Sequence, residues 1–322
     1  MNQTIMNKNI LFSFKGLILI TFFVYLFSGF SCKQQEQEPE LKERIAYVSD
    51  GIIQVAGLKD NAHLEVGPGS EPSLSFDGRY LAYVSNVGNK QRIAVFDFPN
   101  RNTNIIEDVQ GTSWGPVWSP TENHFLFSAR VDNNGSSYRV AIVGHAREEN
   151  KYVIAREGAN ILSPSWSYDG ASVYAHDTKY LYQFEKTGAL IGHAVLNEKF
   201  GLLEYNESTV ILPSPDGNGW LIGTGPEEPA GRPRKTSLAL YHYDESTVTG
   251  TLISPEEVFI SDFSWSSDKQ GVIFSGKKTA AQRASDIYYL SLSDGSITRL
   301  IKGASQPSCR AIPFQTMGNQ GS

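Results

Sequence analysis

Two cysteines in 322 residues, Cys32 and Cys309, exclude a disulfide framework. Stability has to come from a buried core, which a chain of this length can supply. Basic charge is also scarce: 28 Lys and Arg stand against 34 Asp and Glu, a formal net charge of −6. That balance excludes nucleic acid as a partner, because such binding needs basic surface to neutralise phosphates. Metal motifs are missing too. His63, His124, His145, His176, His193 and His242 form no H-E-x-x-H and no metal spacing with cysteine. They read as ordinary strand residues, and neither a metal nor a cofactor is expected. Helical periodicity is absent throughout, which leaves strands as the only regular element.

What the chain has in quantity is one repeated hairpin. Its clearest copy is Pro164-Ser-Trp-Ser-Tyr-Asp-Gly170, a short strand, an Asp-Gly turn and then an apolar run. Asp bonds its own backbone in such a turn, and Gly accepts the positive φ that the turn requires. Aligned on its Trp, the hairpin recurs at Leu74, Trp118, Trp166, Pro213, Trp265 and Cys309, at spacings of 44, 48, 47, 52 and 44. After each copy come a third strand (92–98, 138–144, 180–184, 237–243, 286–292) and then a fourth, such as 295–301. Four short strands per unit at this period describe the blades of a β-propeller. The Trp at the end of each first strand is expected to pack between neighbouring blades.

The last unit stops after one strand, near Arg310, and the missing part lies at the other end of the chain. Arg44-Ile-Ala-Tyr-Val-Ser49 matches Tyr80-Leu-Ala-Tyr-Val-Ser85, and 51–56 and 62–67 supply a third and a fourth strand. The expected fold is therefore all-β: a six-bladed β-propeller over 44–310, closed by N-terminal strands that complete the C-terminal blade. Residues 311–322 form a tail. The pattern P-x-W-S-x-D-G-x-x-[IL]-A-[FY]-x-S, best seen from Pro72 and from Pro164, resembles the TolB-type propeller repeats. That resemblance implies a binding platform at the cell envelope, while related propellers serve peptidases or act as lyases.

The first 43 residues stand apart. Lys8 and Lys15 precede an uncharged, apolar stretch from Gly16 to Ser31. It is short for a membrane span, which needs roughly 20 residues, and fits the apolar core of an export signal. With small Gly29 and Ser31 before Cys32, it resembles a bacterial lipoprotein signal. The resemblance implies removal of 1–31, lipidation of Cys32 and, with Lys33 following, an address at the outer membrane. Residues 32–43, rich in Gln and Glu, read as a flexible polar tether.

Three further motifs tempt a catalytic or metal reading. Gly111-Thr-Ser-Trp-Gly115 satisfies G-x-S-x-G, but a nucleophile elbow needs a helix after it, and Pro116 and a β repeat follow. It reads as a loop between blades. Asp77, Asp169, Asp216 and Asp268 repeat around one rim and read as turn caps rather than acid–base pairs. Asp132-Asn-Asn-Gly135 starts like a calcium loop but lacks its closing Glu. No catalytic residue is identified. The long connections between second and third strands, 86–91, 130–137, 225–236 and 276–285, share one face of such a fold. Two of them carry Arg232, Arg234, Lys235, Lys277, Lys278 and Arg283, a basic patch suited to docking an envelope protein or glycan. The expectation is a lipid-anchored, monomeric binding or scaffold module. The alternatives are a lyase or hydrolase that uses channel residues, or a purely structural lipoprotein.

Overall fold

The computed structural model describes residues 44–57, 63–106, 111–133, 136–146, 151–156, 159–201, 203–225, 238–244, 250–256, 258–266, 269–279 and 281–309. Cys32, Arg232, Arg234, Lys235, Asp268 and the tip of the calcium-like loop, Asn134 and Gly135, lie outside them. Among the described residues, twenty-four strands form six four-stranded antiparallel sheets. Blade 1 is β4 (Ser70–Leu74), β5 (Tyr80–Val87), β6 (Lys90–Asp97) and β7 (Asn102–Ile105). Blade 2 is β8 (Ser113–Trp118), β9 (His124–Asn133), β10 (Ser136–His145) and β11 (Tyr152–Ile154). Blade 3 runs from β12 (Leu162–Trp166) through β13 (Ser172–His176) and β14 (Tyr180–Glu185) to β15 (Leu190–Val195). Blade 4 is β16 (Val210–Pro213), β17 (Gly219–Thr224), β18 (Ala239–Asp244) and β19 (Thr251–Leu252). Blade 5 is β20 (Phe259–Trp265), β21 (Gly271–Lys277), β22 (Asp286–Ser291) and β23 (Ile297–Ile301).

The sixth blade joins the two ends of the chain as expected. β24 (Ser305–Cys309) is its inner strand, and β1 (Arg44–Ser49), β2 (Ile52–Gly57) and β3 (His63–Pro68) complete it. β24 pairs with β1 through Ile45 opposite Cys309 and Ala46 opposite Ser308. The fold is a closed six-bladed β-propeller.

The core lies between blades. Six buried clusters form, and each joins residues of two neighbouring blades. Tyr80, Ala82 and Val84 of blade 1 meet Trp118, Phe125 and Phe127 of blade 2, for example. Second strands are therefore covered on both faces and read as continuous apolar runs, as in buried Val272-Ile-Phe274. Outer strands have no neighbour on one side, and Ile297–Leu300 of β23 is exposed. Trp118 donates its indole Nε1–H to Ser73 O at 2.9 Å, and Trp166 donates to Val117 O at 3.0 Å. The tryptophans thus pin one blade to the next, as the repeat predicts.

The serine and aspartate of the repeat build its turn. Ser167 Oγ donates to Asp169 Oδ1 at 2.6 Å, Asp169 Oδ1 accepts Ala171 N–H, and Ser167 Oγ accepts Ser172 N–H. Asp77 and Asp216 accept the equivalent bonds from Ser75 and Arg79 N–H and from Ser214 and Asn218 N–H. These three aspartates are turn caps in the structure.

Three expectations need correction. Residues 86–91 and much of 130–137 are not loops: β5 and β6 run on to a turn at Gly88-Asn89, and β9 and β10 are ten-residue strands. Hydrogen bonding between the two strands simply continues past the ring, where side chains turn polar. Ser113–Gly115 opens β8 instead of forming a loop between blades. A helix also exists: α1 (Leu196–Phe200) follows β15. Five residues are too few to show a helical period, but they bury Leu196 and Phe200, four apart, on one face. Phe200 packs on Trp220 of β17, at 5.5 Å between ring centroids. Together they fill the seam between blades 3 and 4, where Pro213 takes the place of the repeat Trp.

Candidate binding face

Inner strands begin at the end of the ring that carries the connections between second and third strands. Ser70 at the start of β4 lies opposite Val84, near the end of β5, and Phe259 lies opposite Lys277. One position at this end repeats with a distorted backbone. Three residues before the Trp position stand Glu71, Gly115, Ser163 and Gln306, each followed by proline, and all four have positive φ, between 46° and 62°. At each of them the register with the neighbouring strand shifts, so each of these four blades carries a β-bulge there. For a residue other than glycine this conformation costs about 1–2 kcal/mol, and such distortions concentrate at functional places.

The bulges bring these residues together around the axis. Glu71 N–H donates to Gln306 Oε1 at 2.9 Å, and Glu71 Oε2 accepts Gly115 N–H at 2.6 Å. Three consecutive blades are thereby tied through one residue, by its backbone N–H on one side and its carboxylate on the other. Asp262 holds the same position in blade 5, where its Oδ2 accepts from the Ser261 and Ser275 hydroxyls, both at 2.9 Å. Burial pushes the Glu71 carboxyl above its usual range; the Gly115 N–H opposes this shift and the Asp262 charge adds to it.

A carboxyl with a raised native pKa stabilises the fold below its unfolded pKa, about 4.3, and that stabilisation is lost as pH rises through the native pKa. Glu71→Gln keeps an oxygen for Gly115 and removes the titration. Melting temperature measured against pH is expected to fall less for this variant than for the parent chain between mildly acidic and neutral pH. Parallel profiles would show that Glu71 ionises without cost.

The residues singled out in the sequence are distributed as follows. Lys277 ends β21 and is half-buried, while Lys278 and Arg283 are exposed on the connection to β22. These three therefore share the end of the ring with Glu71 and Asp262. Ser113 is buried in β8, and its hydroxyl has no hydrogen-bond partner. With a strand continuing after it, it is no nucleophile elbow. His176 is fully buried: its Nδ1 accepts Thr178 N–H, which leaves Nε2–H to donate to Thr209 O at 2.9 Å. Burial holds its pKa low, so it is a neutral strut between blade 3 and the segment entering blade 4. Among the described residues no three His, Cys, Asp or Glu side chains converge as a metal site. Sequence reading missed Glu71, Asp262 and Gln306. The signal was available as the residue three before each repeat position, which varies from copy to copy.

TolB from Acinetobacter baumannii superposes with a TM-score of 0.62 at 16% identity, over 84% of this chain and 67% of that one. The fold is that of the TolB-type propellers. A TolB-type protein from Agrobacterium tumefaciens gives a TM-score of 0.56 at 13% identity, over 80% of this chain and 88% of that one. A propeller in a nidogen/laminin complex also matches, with a TM-score of 0.56 at 8% identity, over 84% of this chain and 99% of that one. No protein-family model matches the sequence. At these identities the TolB-type likeness concerns fold, and function has to be argued from the site.

Proposed function

We propose that this chain is a cell-envelope β-propeller, anchored through lipid on Cys32, that holds a protein partner on the face formed by the bulged ring and its flanking connections. One observation carries the reading. At the opposite end of the ring blades 1, 3 and 4 repeat the same Ser-x-Asp-Gly turn, whereas the bulged position differs from blade to blade, with Glu71, Gly115, Ser163 and Gln306, and Asp262 at the same place in blade 5. Repetition serves the fold, and variation at distorted positions serves recognition. The cations Lys277, Lys278 and Arg283, with Arg232, Arg234 and Lys235 of the adjacent blade, would add attraction for an acidic partner surface. The nidogen/laminin complex gives a precedent for a propeller of this shape in a protein complex.

The test is affinity capture from detergent-solubilised envelopes with the tagged full chain. A defined protein is expected to copurify, and to be lost when the six cations are replaced by serine while the melting temperature is unchanged. Cys32→Ser is expected to lose palmitate labelling and to move the chain out of the membrane fraction. Light scattering of the purified chain is expected to give a monomer. Full retention of the partner by the six-serine variant, or retention by peptidoglycan alone, would overturn the docking face.

A further inference from the structure

We propose that a cleft between blades 4 and 5, at the end of the ring away from Glu71, is a binding site for an uncharged sugar unit. The cleft encloses about 410 Å³, within the range of about 300–1,000 Å³ typical of small-molecule sites. It opens between the first turn and third strand of blade 4, with Asp216, Gly219, His242 and Asp244, and the neighbouring edge of blade 5, with Trp265 and Leu292.

Its surroundings differ from the seam between blades 1 and 2. Between blades 1 and 2, Tyr80 stacks on Trp118 at 5.8 Å, and the indole N–H is taken by Ser73 O. The counterpart of Tyr80 in blade 4 is Gly219: Ser214 N–H bonds Gly219 O as Ser75 N–H bonds Tyr80 O. Gly219 therefore offers no ring to stack on Trp265 as Tyr80 stacks on Trp118. The inner strand of blade 4, β16, is only four residues long. Among the described residues, β16 and β20 make the sparsest approach of any neighbouring inner strands. Trp265 Nε1 is left without a hydrogen-bond partner, unlike Trp118 and Trp166. No hydrogen bond among the described residues fixes that ring against blade 4; its N–H is buried in this structure, and the ring has to turn for the N–H to reach a ligand oxygen.

The chemistry of the walls selects the ligand class. Two carboxylates, Asp216 and Asp244, disfavour an anion. A wholly apolar ligand would strip water from both carboxylates and return no hydrogen bond. A metal ion is disfavoured because no triple of metal-ligating side chains is present among the described residues. A sugar ring meets every wall. Its hydroxyls donate to carboxylates and accept from the indole and from Lys269, another wall residue. Its C–H face lies on Trp265 and Leu292, two apolar surfaces of the cleft. His242 meets Trp265 edge-on at 5.9 Å and completes the aromatic corner.

The experiment titrates the full chain with N-acetylglucosamine, glucose, galactose, glucuronic acid and spermidine, read by calorimetry and tryptophan fluorescence. At least one neutral sugar is expected to bind in the millimolar range and to change the fluorescence. Trp265→Phe keeps the packing and removes the N–H; it is expected to weaken that binding about five- to tenfold. His242→Ala is expected to weaken it as well, with thermal melts confirming that both variants fold. The proposal fails if no neutral sugar binds, if glucuronic acid or spermidine binds more tightly, or if neither substitution alters the affinity. Because the cleft is on the other end of the ring, the six-serine loop variant is expected to bind the sugar unchanged. Failure here and failure of the protein-docking face are therefore separable.

Discussion

Replacing Trp118 by alanine is expected to destabilise the protein by about 4 kcal/mol, as large-to-small core substitutions of this size do, and to lower its melting temperature by about 10 °C. Trp118 is 6% exposed and lies between two blades, stacked on Tyr80 and tilted against Phe125 at 5.0 Å. Its removal opens a cavity on both sides and leaves Ser73 O without its donor, so two costs add. Trp265 occupies the equivalent place in blade 5 but is only half-buried and has no acceptor for its N–H. Trp265→Ala is therefore expected to cost about half as much. Urea titration of both variants checks the pair. Equal losses would show that the seam between blades 4 and 5 is as tightly closed as the one between blades 1 and 2.

Ending the chain after Lys302 is expected to have a larger effect, abolishing cooperative unfolding altogether. The deletion removes β24, which pairs with β1 and also reaches blade 1: Ser308 Oγ accepts Leu74 N–H, and Gln306 Oε1 accepts Glu71 N–H. Without it, Ile45-Ala-Tyr-Val48, now buried, becomes an open apolar edge. Such an edge templates aggregation. The truncated chain is expected to accumulate as insoluble material and, if refolded, to be cut rapidly by protease within 44–68. A synthetic peptide covering 303–310, added during refolding, is expected to restore part of the soluble protein. A soluble truncation with a single sharp melt would show that the ring does not depend on this closure.

Much of the fold was legible because it rests on local chemistry that recurs along the chain, in full in blades 1, 3 and 4. Ser-x-Asp-Gly closes a turn with its own side chains, so Ser167, Asp169 and Gly170 announce the hairpin wherever it occurs. The shared sixth blade was legible from the half-units at the two ends. The lengths of the connections were read less well. Nothing in a polar hairpin tip distinguishes a continued strand from a loop, and β9 and β10 prolong their pairing where a loop was expected.

The sequence by itself determined the number of blades, the closure and the structural role of the repeated Trp and Asp, since each is fixed by contacts within a unit or with the next one. Only the tertiary structure decided where the units fail to match. The gap left by Pro213 is filled from outside the repeat by Phe200 of a five-residue helix, while the space beside Trp265 is left unfilled. Likewise, Glu71, Gln306 and Asp262 are far apart in sequence, and only closure of the ring sets them around one axis. A repeat specifies its own packing locally. A site made where three or more units converge has no local signature, because its energy exists only once the ring has closed.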